Sequence, residues 1–142
     1  QVRTYDAKRV VITIGSHMVQ GYAEDTFISI EPTGEGTQSA AGADGEVGRS
    51  LSNNPLHRVA LTLQQTSESN DFLSELLRRD KASGGGGVVP LEVRDLRGST
   101  LFSASQAWVV NYPTIEFGSE ISDREWTLDA VATDAFVGGN FA

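Results

Sequence analysis

The chain has 142 residues, enough for one domain with a packed core and too short to argue for two. Eleven Lys and Arg against 19 Asp and Glu give a formal charge of −8, which argues against gripping nucleic acid through clustered cations. The absence of cysteine excludes disulfides and thiolate-held metals, while 39% apolar residues with 15 glycines describe a β protein rich in turns.

The longest apolar runs, such as the one around Trp108-Val109-Val110, fall far short of the ~20 residues a membrane span needs. The first residues lack the apolar core of a signal peptide, so no export leader is expected. Lys8–Gly15 alternates, with Val10, Ile12 and Ile14 on one face and Val11 and Thr13 on the other. Gly15-Ser16 then turns the chain into a short returning strand, His17–Tyr22. Thr26–Glu31 reads as a further strand, Ile28 and Ile30 facing one way and Phe27 and Ser29 the other, stopped by Pro32.

From Thr33 to Pro55 the periodicity vanishes, and Val47 and Leu51 are the only large apolar residues. A patternless stretch of this length is uncommon inside a compact domain. Two readings stay open. It is a surface loop without fixed structure, or an arm, mobile in the isolated subunit, that orders against a neighbouring one.

His57–Gln65 resumes alternation, with Val59, Leu61 and Leu63 inward. Thr66–Gly87 then carries the one convincing helix. Phe72 with Leu76 and Leu73 with Leu77 form an apolar stripe at a spacing of four. Ser67 or Ser69 is expected to cap its start, Glu75 to reach Arg79, and Gly84 to close it in the left-handed region. Gly84–Gly87 reads as a flexible hinge; no Gly-Lys-Ser/Thr follows, so it is no phosphate loop. Val89, Leu91 and Val93 make the next strand face, and Asp95-Leu96-Arg97-Gly98 a hairpin turn. The return strand, about Thr100–Tyr112, places Trp108, Val110 and Tyr112 on one face. A polar connector around Glu116–Glu120 leads to Arg124–Thr133, with Trp126, Leu128, Ala130 and Ala132 on one side. The tail from Phe136 to Ala142 reads as loose. The expected fold is mainly β: an antiparallel sandwich or partly closed barrel of about seven strands with one flanking helix, in one domain over 1–142 with an arm at about 33–55.

Candidate chemistry is sparse. Ser16 and His17 are adjacent, so on a strand they point to opposite faces, and no G-x-S-x-G elbow surrounds the serine. His57 follows a segment with Asp44, Glu46, Asn53 and Asn54, but Asp44-Gly45-Glu46 lacks the ligand pattern of a calcium loop. Glu116, Glu120, Asp123 and Glu125 crowd one segment, and paired carboxylates hydrolyse glycosides when suitably spaced. Trp126 fits a core face better than a sugar platform, so a solvated acidic rim is the reading preferred. Trp108 and Trp126, with Phe72, Leu73 and Leu76, are expected to form the core between sheet and helix. No catalytic, cofactor or metal residue is assigned.

Four stretches together resemble a known family: VRTYDAKRVVITIGSHMVQGYAEDTFISIEP, GADGEVGRSLSNN, LTLQQTSESNDFLSELL and FGSEISDREWTLDAVATDAFVGGN. The chain is similar, over nearly its whole length and in the same order, to the tail tube proteins of contractile-tailed bacteriophages. That resemblance implies two packed β-sheets with a flanking helix, and a non-enzymatic virion protein made in the host cytoplasm. It implies hexameric rings stacked into a hollow tube inside a contractile sheath, meeting tape-measure and baseplate proteins, with DNA passing through unbound. The resemblance brings no active-site residue. Related readings are the tube of a phage-like bacteriocin or of a type VI secretion-type system; unrelated ones are a solitary β-sandwich binding module and an acidic glycosidase. A tube wall facing DNA is expected to be net negative, with Glu92, Asp129 and Glu116 as candidate lumen acids.

Overall fold

A computed structural model describes all residues from Gln1 to Ala142. The strands are β1 (Val10–Ile14), β2 (His17–Met18), β3 (Ile28–Pro32), β4 (Thr37–Ala41), β5 (Val47–Leu51), β6 (Leu56–Gln64), β7 (Val89–Asp95), β8 (Leu101–Asn111) and β9 (Asp123–Phe136); one helix, α1, spans Ser69–Ser83. Seven strands join one antiparallel sheet in the order β2-β1-β7-β8-β9-β6-β3, and β4 with β5 forms a separate pair. Of the two expected architectures, a sandwich or a partly closed barrel of about seven strands with one flanking helix, the chain takes the second: one curled sheet, open between β2 and β3, in place of the two packed sheets that the resemblance implied. The opening is narrowed at one corner. The chain after β2 leaves Ile12, whose carbonyl accepts from Val19 N–H, and crosses to β6, where Ala23 N–H donates to Thr62.

Alternation decides what the curl encloses. Ile12 and Ile14, then Val59, Leu61 and Leu63, then Leu91 and Val93, and finally Trp126, Leu128 and Ala130 all point inward and are buried. One face of α1 joins them, with Leu73, Leu76 and Leu77 buried and Phe72 partly so. Fully burying each such leucine contributes about 1.5–3 kcal/mol. Phe27, expected on the face opposite Ile28 and Ile30, instead precedes β3, packs on the same core as they do and lies 4.8 Å from the Tyr22 ring.

The start of α1 is held from outside. Glu68 occupies the cap position without a side-chain bond, while Ser67 Oγ accepts from Ser69 N–H at 3.1 Å. Ser69 itself is not a cap: it is buried, and its Oγ accepts from Gln20 N–H at 3.0 Å. At the other end Gly84 takes φ 70°, the left-handed conformation that costs glycine nothing, and closes the helix as expected. Glu75 pairs with Arg78 at 3.3 Å, one position short of the expected Arg79.

The glycine run is not a hinge. Gly85 N–H donates to Asp80 O, Gly86 N–H to Ser83 Oγ and Gly87 N–H to Asp80 Oδ1. Gly87 is buried so tightly that a Cβ there would lie 2.6 Å from the Leu76 carbonyl oxygen. Glycine is used here for close approach.

Trp108 is a second correction. Phe102 and Ala104 are buried on even positions of β8, but Ala107 and Val109 on odd ones. Between them the pairing with both neighbours shifts, so the strand carries an extra residue. A bulge of one residue exchanges the two faces. Trp108 is thereby turned from the core to the half-covered outer face, and Val110 and Tyr112 are exposed. Trp126 stays inside as expected.

The tail is not loose. Ser99 N–H donates to Gly139 O at 3.0 Å, Phe141 N–H to Arg97 O at 2.8 Å, and Thr4 N–H to Phe141 O at 3.1 Å. Asn140 Nδ2 adds a bond to Asp95 Oδ2 at 2.8 Å. These fasten the tail, and the amino terminus through it, onto the β7–β8 turn.

Candidate functional site

The residues weighed for chemistry are scattered. Ser16 lies in the β1–β2 turn, and the imidazole of His17 goes instead to Ser69, with Nε2 2.9 Å from its Oγ, while its ring stacks on Phe72 at 4.3 Å. His57 Nδ1 lies 2.8 Å from the carbonyl oxygen of Pro55, two residues earlier, and its ring lies 5.2 Å from that of Phe102. Asp44 and Glu46 sit away on the β4–β5 turn, where Asp44 Oδ1 accepts from Glu46 N–H at 3.1 Å. No three His, Asp or Glu side chains are gathered anywhere as metal ligands. Glu116, Glu120 and Asp123 are exposed. Burial pushes the Tyr22 phenol up, partly offset by its backbone bond with Ile12.

The candidate lumen acids divide. Glu92 lies 3.2 Å from Arg94, and Asp129 accepts from Arg58 Nε at 2.9 Å, so both are neutralised by a partner on the outer face of the sheet. Register places Glu31 opposite Arg58 as well, giving a row Glu31–Arg58–Asp129 across β3, β6 and β9. Glu116 has no ion-pair partner.

What the chain does offer is surface built for contact. Strand β3 is bonded on one side only, to β6, so its other edge presents unpaired N–H and C=O groups. The segment read as patternless contains the β4–β5 hairpin, closed by Gly42 N–H to Glu46 O at 2.7 Å. Every residue from 33 to 55 is exposed. Apolar alternation was invisible there because neither face of the hairpin is buried within the chain.

The Glu116–Glu120 connector, expected to be polar, carries exposed Phe117 and belongs to a longer 112–121 connector on which Tyr112, Ile115 and Ile121 are exposed as well. With α1 it borders a groove of about 560 Å³, into which Arg78, Lys81 and Arg124 also project. Arg124 is set by bonds to Ser122 Oγ at 2.8 Å and Glu116 O at 3.0 Å, with its guanidinium 5.9 Å from the Phe117 ring. A larger groove of about 780 Å³, at the opposite end of the sheet, is lined by Phe27, His57, Phe136 and the acids Glu24, Asp25 and Asp95. The signal for these surfaces in the sequence was apolar residues that fit no core face.

Residues 5–138 match the family described as Bacteriophage PhiTE tail tube protein. "Structural protein ORF10" of Pseudomonas phage KPP10 is 30% identical over 144 residues, covering 96% of this chain and 83% of the relative. Two solved structures share the fold. The anti-feeding prophage cap, a tube-terminating cap, has TM-score 0.59 at 11% identity over 92% of this chain and 89% of its own. The sheath–tube complex of the extracellular contractile injection system PVC, in its extended state, gives 0.58 at 12% identity over 97% and 93%. An open antiparallel sheet with one helix and an uncovered edge agrees with these matches: the chain belongs to the PhiTE-type bacteriophage tail tube family, and is a structural protein of the phage virion.

Proposed function

We propose that copies of this chain form hexameric rings that stack into the hollow tube of a phage tail, through which DNA passes to the host. The role is structural, with no reaction catalysed. The observation that carries the reading is the unpaired β3 edge of an open sheet beside a hairpin that nothing in the chain covers. Edges of this kind call for a partner, and a ring closed across subunits removes them all at once. The outer partners are the sheath, tape-measure and baseplate proteins of the tail, and assembly takes place in the host cytoplasm.

Charge supports passage without binding. DNA carries one negative charge per about 1.7 Å of duplex axis. Six copies of a chain with net charge −8 make a strongly anionic ring. An acidic wall repels the duplex at short range, salt screening that repulsion beyond about 8 Å. The lumen is net negative in this reading. Unpaired acids such as Glu116 contribute more than Asp129 and Glu92, which are matched by Arg58 and Arg94.

A second reading, the tube of a phage-like bacteriocin or type VI-type injection system, is favoured by the fold shared with the PVC sheath–tube complex. Identity of 30% to a phage protein against 12% to that complex favours the phage. Capsid genes beside the coding gene decide between the two. Electron micrographs of the purified protein test the proposal itself. Six-fold rings or tubes with a lumen lined mainly by Asp and Glu are expected. A monomer at high concentration returns the chain to a solitary β module, and a lumen lined by Lys and Arg ends the account of DNA passage.

A further inference from the structure

We propose that the groove between α1 and the 112–121 connector receives a short acidic and apolar segment of a different protein. The site is built by one subunit alone and goes beyond the reading of the chain as a tube protein.

Three cations and no acid line this groove, in a chain where 19 acids stand against 11 cations. Arg78 and Lys81, three apart, share one face of α1, and Arg124 reaches in from the start of β9. Lys81 and Arg124 have no carboxylate within ion-pair distance. Arg78 meets only Glu75, at 3.3 Å on the open surface, where such a pair contributes little. Glu116 and Glu120 of the connector line a separate depression.

The polar groups left over are donors. Arg124 is fixed through Nη1, which donates to Ser122 Oγ at 2.8 Å, and Nη2, which donates to Glu116 O at 3.0 Å. Both acceptors are neutral, so its charge stays uncompensated. Gln65 accepts from Ser122 N–H through Oε1 at 3.1 Å, which leaves its Nε2 to donate. Beside them lie the exposed apolar surfaces of Tyr112, Ile115 and Phe117. Donors without acceptors select an anion, and a carboxylate meets a guanidinium through two parallel bonds. A bare inorganic anion would leave the apolar surface in water, so the anion must carry an apolar body.

Size and charge choose the source. A groove of about 560 Å³ has the capacity of a small-ligand site, suited to a few side chains of an extended segment. Arginine clusters are a recurring way of reading acidic motifs. A nucleic acid brings more negative charge, yet it must approach a chain of net charge −8. A short segment meets only the charges within a screening length of about 8 Å. No residue of β2 or β3 lines the groove, so it lies apart from the two open edges through which copies of the chain would pair.

Fluorescence polarisation on the full-length protein, diluted to single subunits, tests this. The probe is a fluorescein-labelled peptide alternating Glu with Leu and Phe, and its twin carries Lys in place of every Glu. Saturable binding of the acidic probe, weakened by salt, is expected, with none of the twin. Arg78 and Lys81 are exposed, so Arg78→Glu with Lys81→Glu should keep the circular dichroism spectrum while weakening the acidic probe about tenfold or more. Ile115→Ser with Phe117→Ser should weaken it as well, with its salt dependence unchanged. Binding that does not saturate, or that the charge reversal leaves unaltered, overturns the proposal. A short oligothymidylate that displaces the probe and binds more tightly assigns the groove to nucleic acid and overturns it too. Self-association of the concentrated protein that disappears on charge reversal assigns the groove to a second copy, with the same consequence. Binding is read on single subunits, so a failure to form rings or tubes counts against the proposed function and not against this site.

Discussion

The indole N–H of Trp126 donates to Asn70 Oδ1 at 2.9 Å, joining the middle of the sheet to the first turn of the helix. Asn70 holds the other side of that joint with Nδ2, which donates to Gln64 O at 2.9 Å and Ser67 O at 3.1 Å. A single side chain thus satisfies a buried donor on β9 and carbonyls in the turn that leads from β6 into α1. Asn70→Ala leaves the indole N–H without a partner. A loss of about 1–3 kcal/mol in urea unfolding is expected. Tryptophan fluorescence, from Trp108 and Trp126 together, should give the same transition, and an unchanged midpoint means that water replaces Asn70 at no cost.

The helix stripe is tested by a pair of truncations. Leu76 is buried against the sheet, so Leu76→Ala opens a cavity and should destabilise by about 2–5 kcal/mol. Arg78 is exposed and pairs only with exposed Glu75, so Arg78→Ala should leave the melting temperature nearly unchanged. Equal effects in thermal melts would contradict the packing of α1.

Gly87 makes a sharper case than the glycines around it. A methyl there meets the Leu76 carbonyl oxygen at 2.6 Å and Asp80 Cβ at 2.4 Å, both in the body of the helix. Gly87→Ala should cost about 1–3 kcal/mol through displacement of the strand β7 entry. Gly118 has open space around the corresponding position, so Gly118→Ala serves as the neutral control. A flexible hinge would tolerate both changes alike.

The hairpin can be removed cleanly. Ser52 N–H donates to Gly36 O at 2.8 Å, so the two ends already lie side by side. Deleting Thr37–Leu51 and joining Gly36 to Ser52 removes no buried residue. The shortened chain should keep its circular dichroism spectrum and cooperative melt, yet form no tubes in micrographs. Normal tubes from the deletion would remove the hairpin from assembly altogether.

The sequence by itself determined the strands whose one face is buried. In β1, β6, β7 and β9, large apolar residues recur at every second position because each strand meets water on one side only, and that pattern survives without coordinates. The helix was legible for the same reason at its own period, down to Gly84 as its closing residue. The similarity to tail tube proteins was also carried by the residues alone.

Tertiary structure decided whatever depends on a partner distant in the chain. The bulge in β8 is set by its two neighbouring strands, and it alone turns Trp108 outward. Gly84–Gly87 read as a hinge because packing against Leu76 and Asp80 has no local signature, and the tail read as loose because its bonds go to Arg97, Ser99 and Thr4. Whether seven strands make two sheets or one is settled by the unbroken ladder from β2 through β1, β7, β8, β9 and β6 to β3, made through backbone groups that every residue shares. The cationic groove draws Arg78 and Lys81 from α1 and Arg124 from β9, and only folding brings those charges to one place.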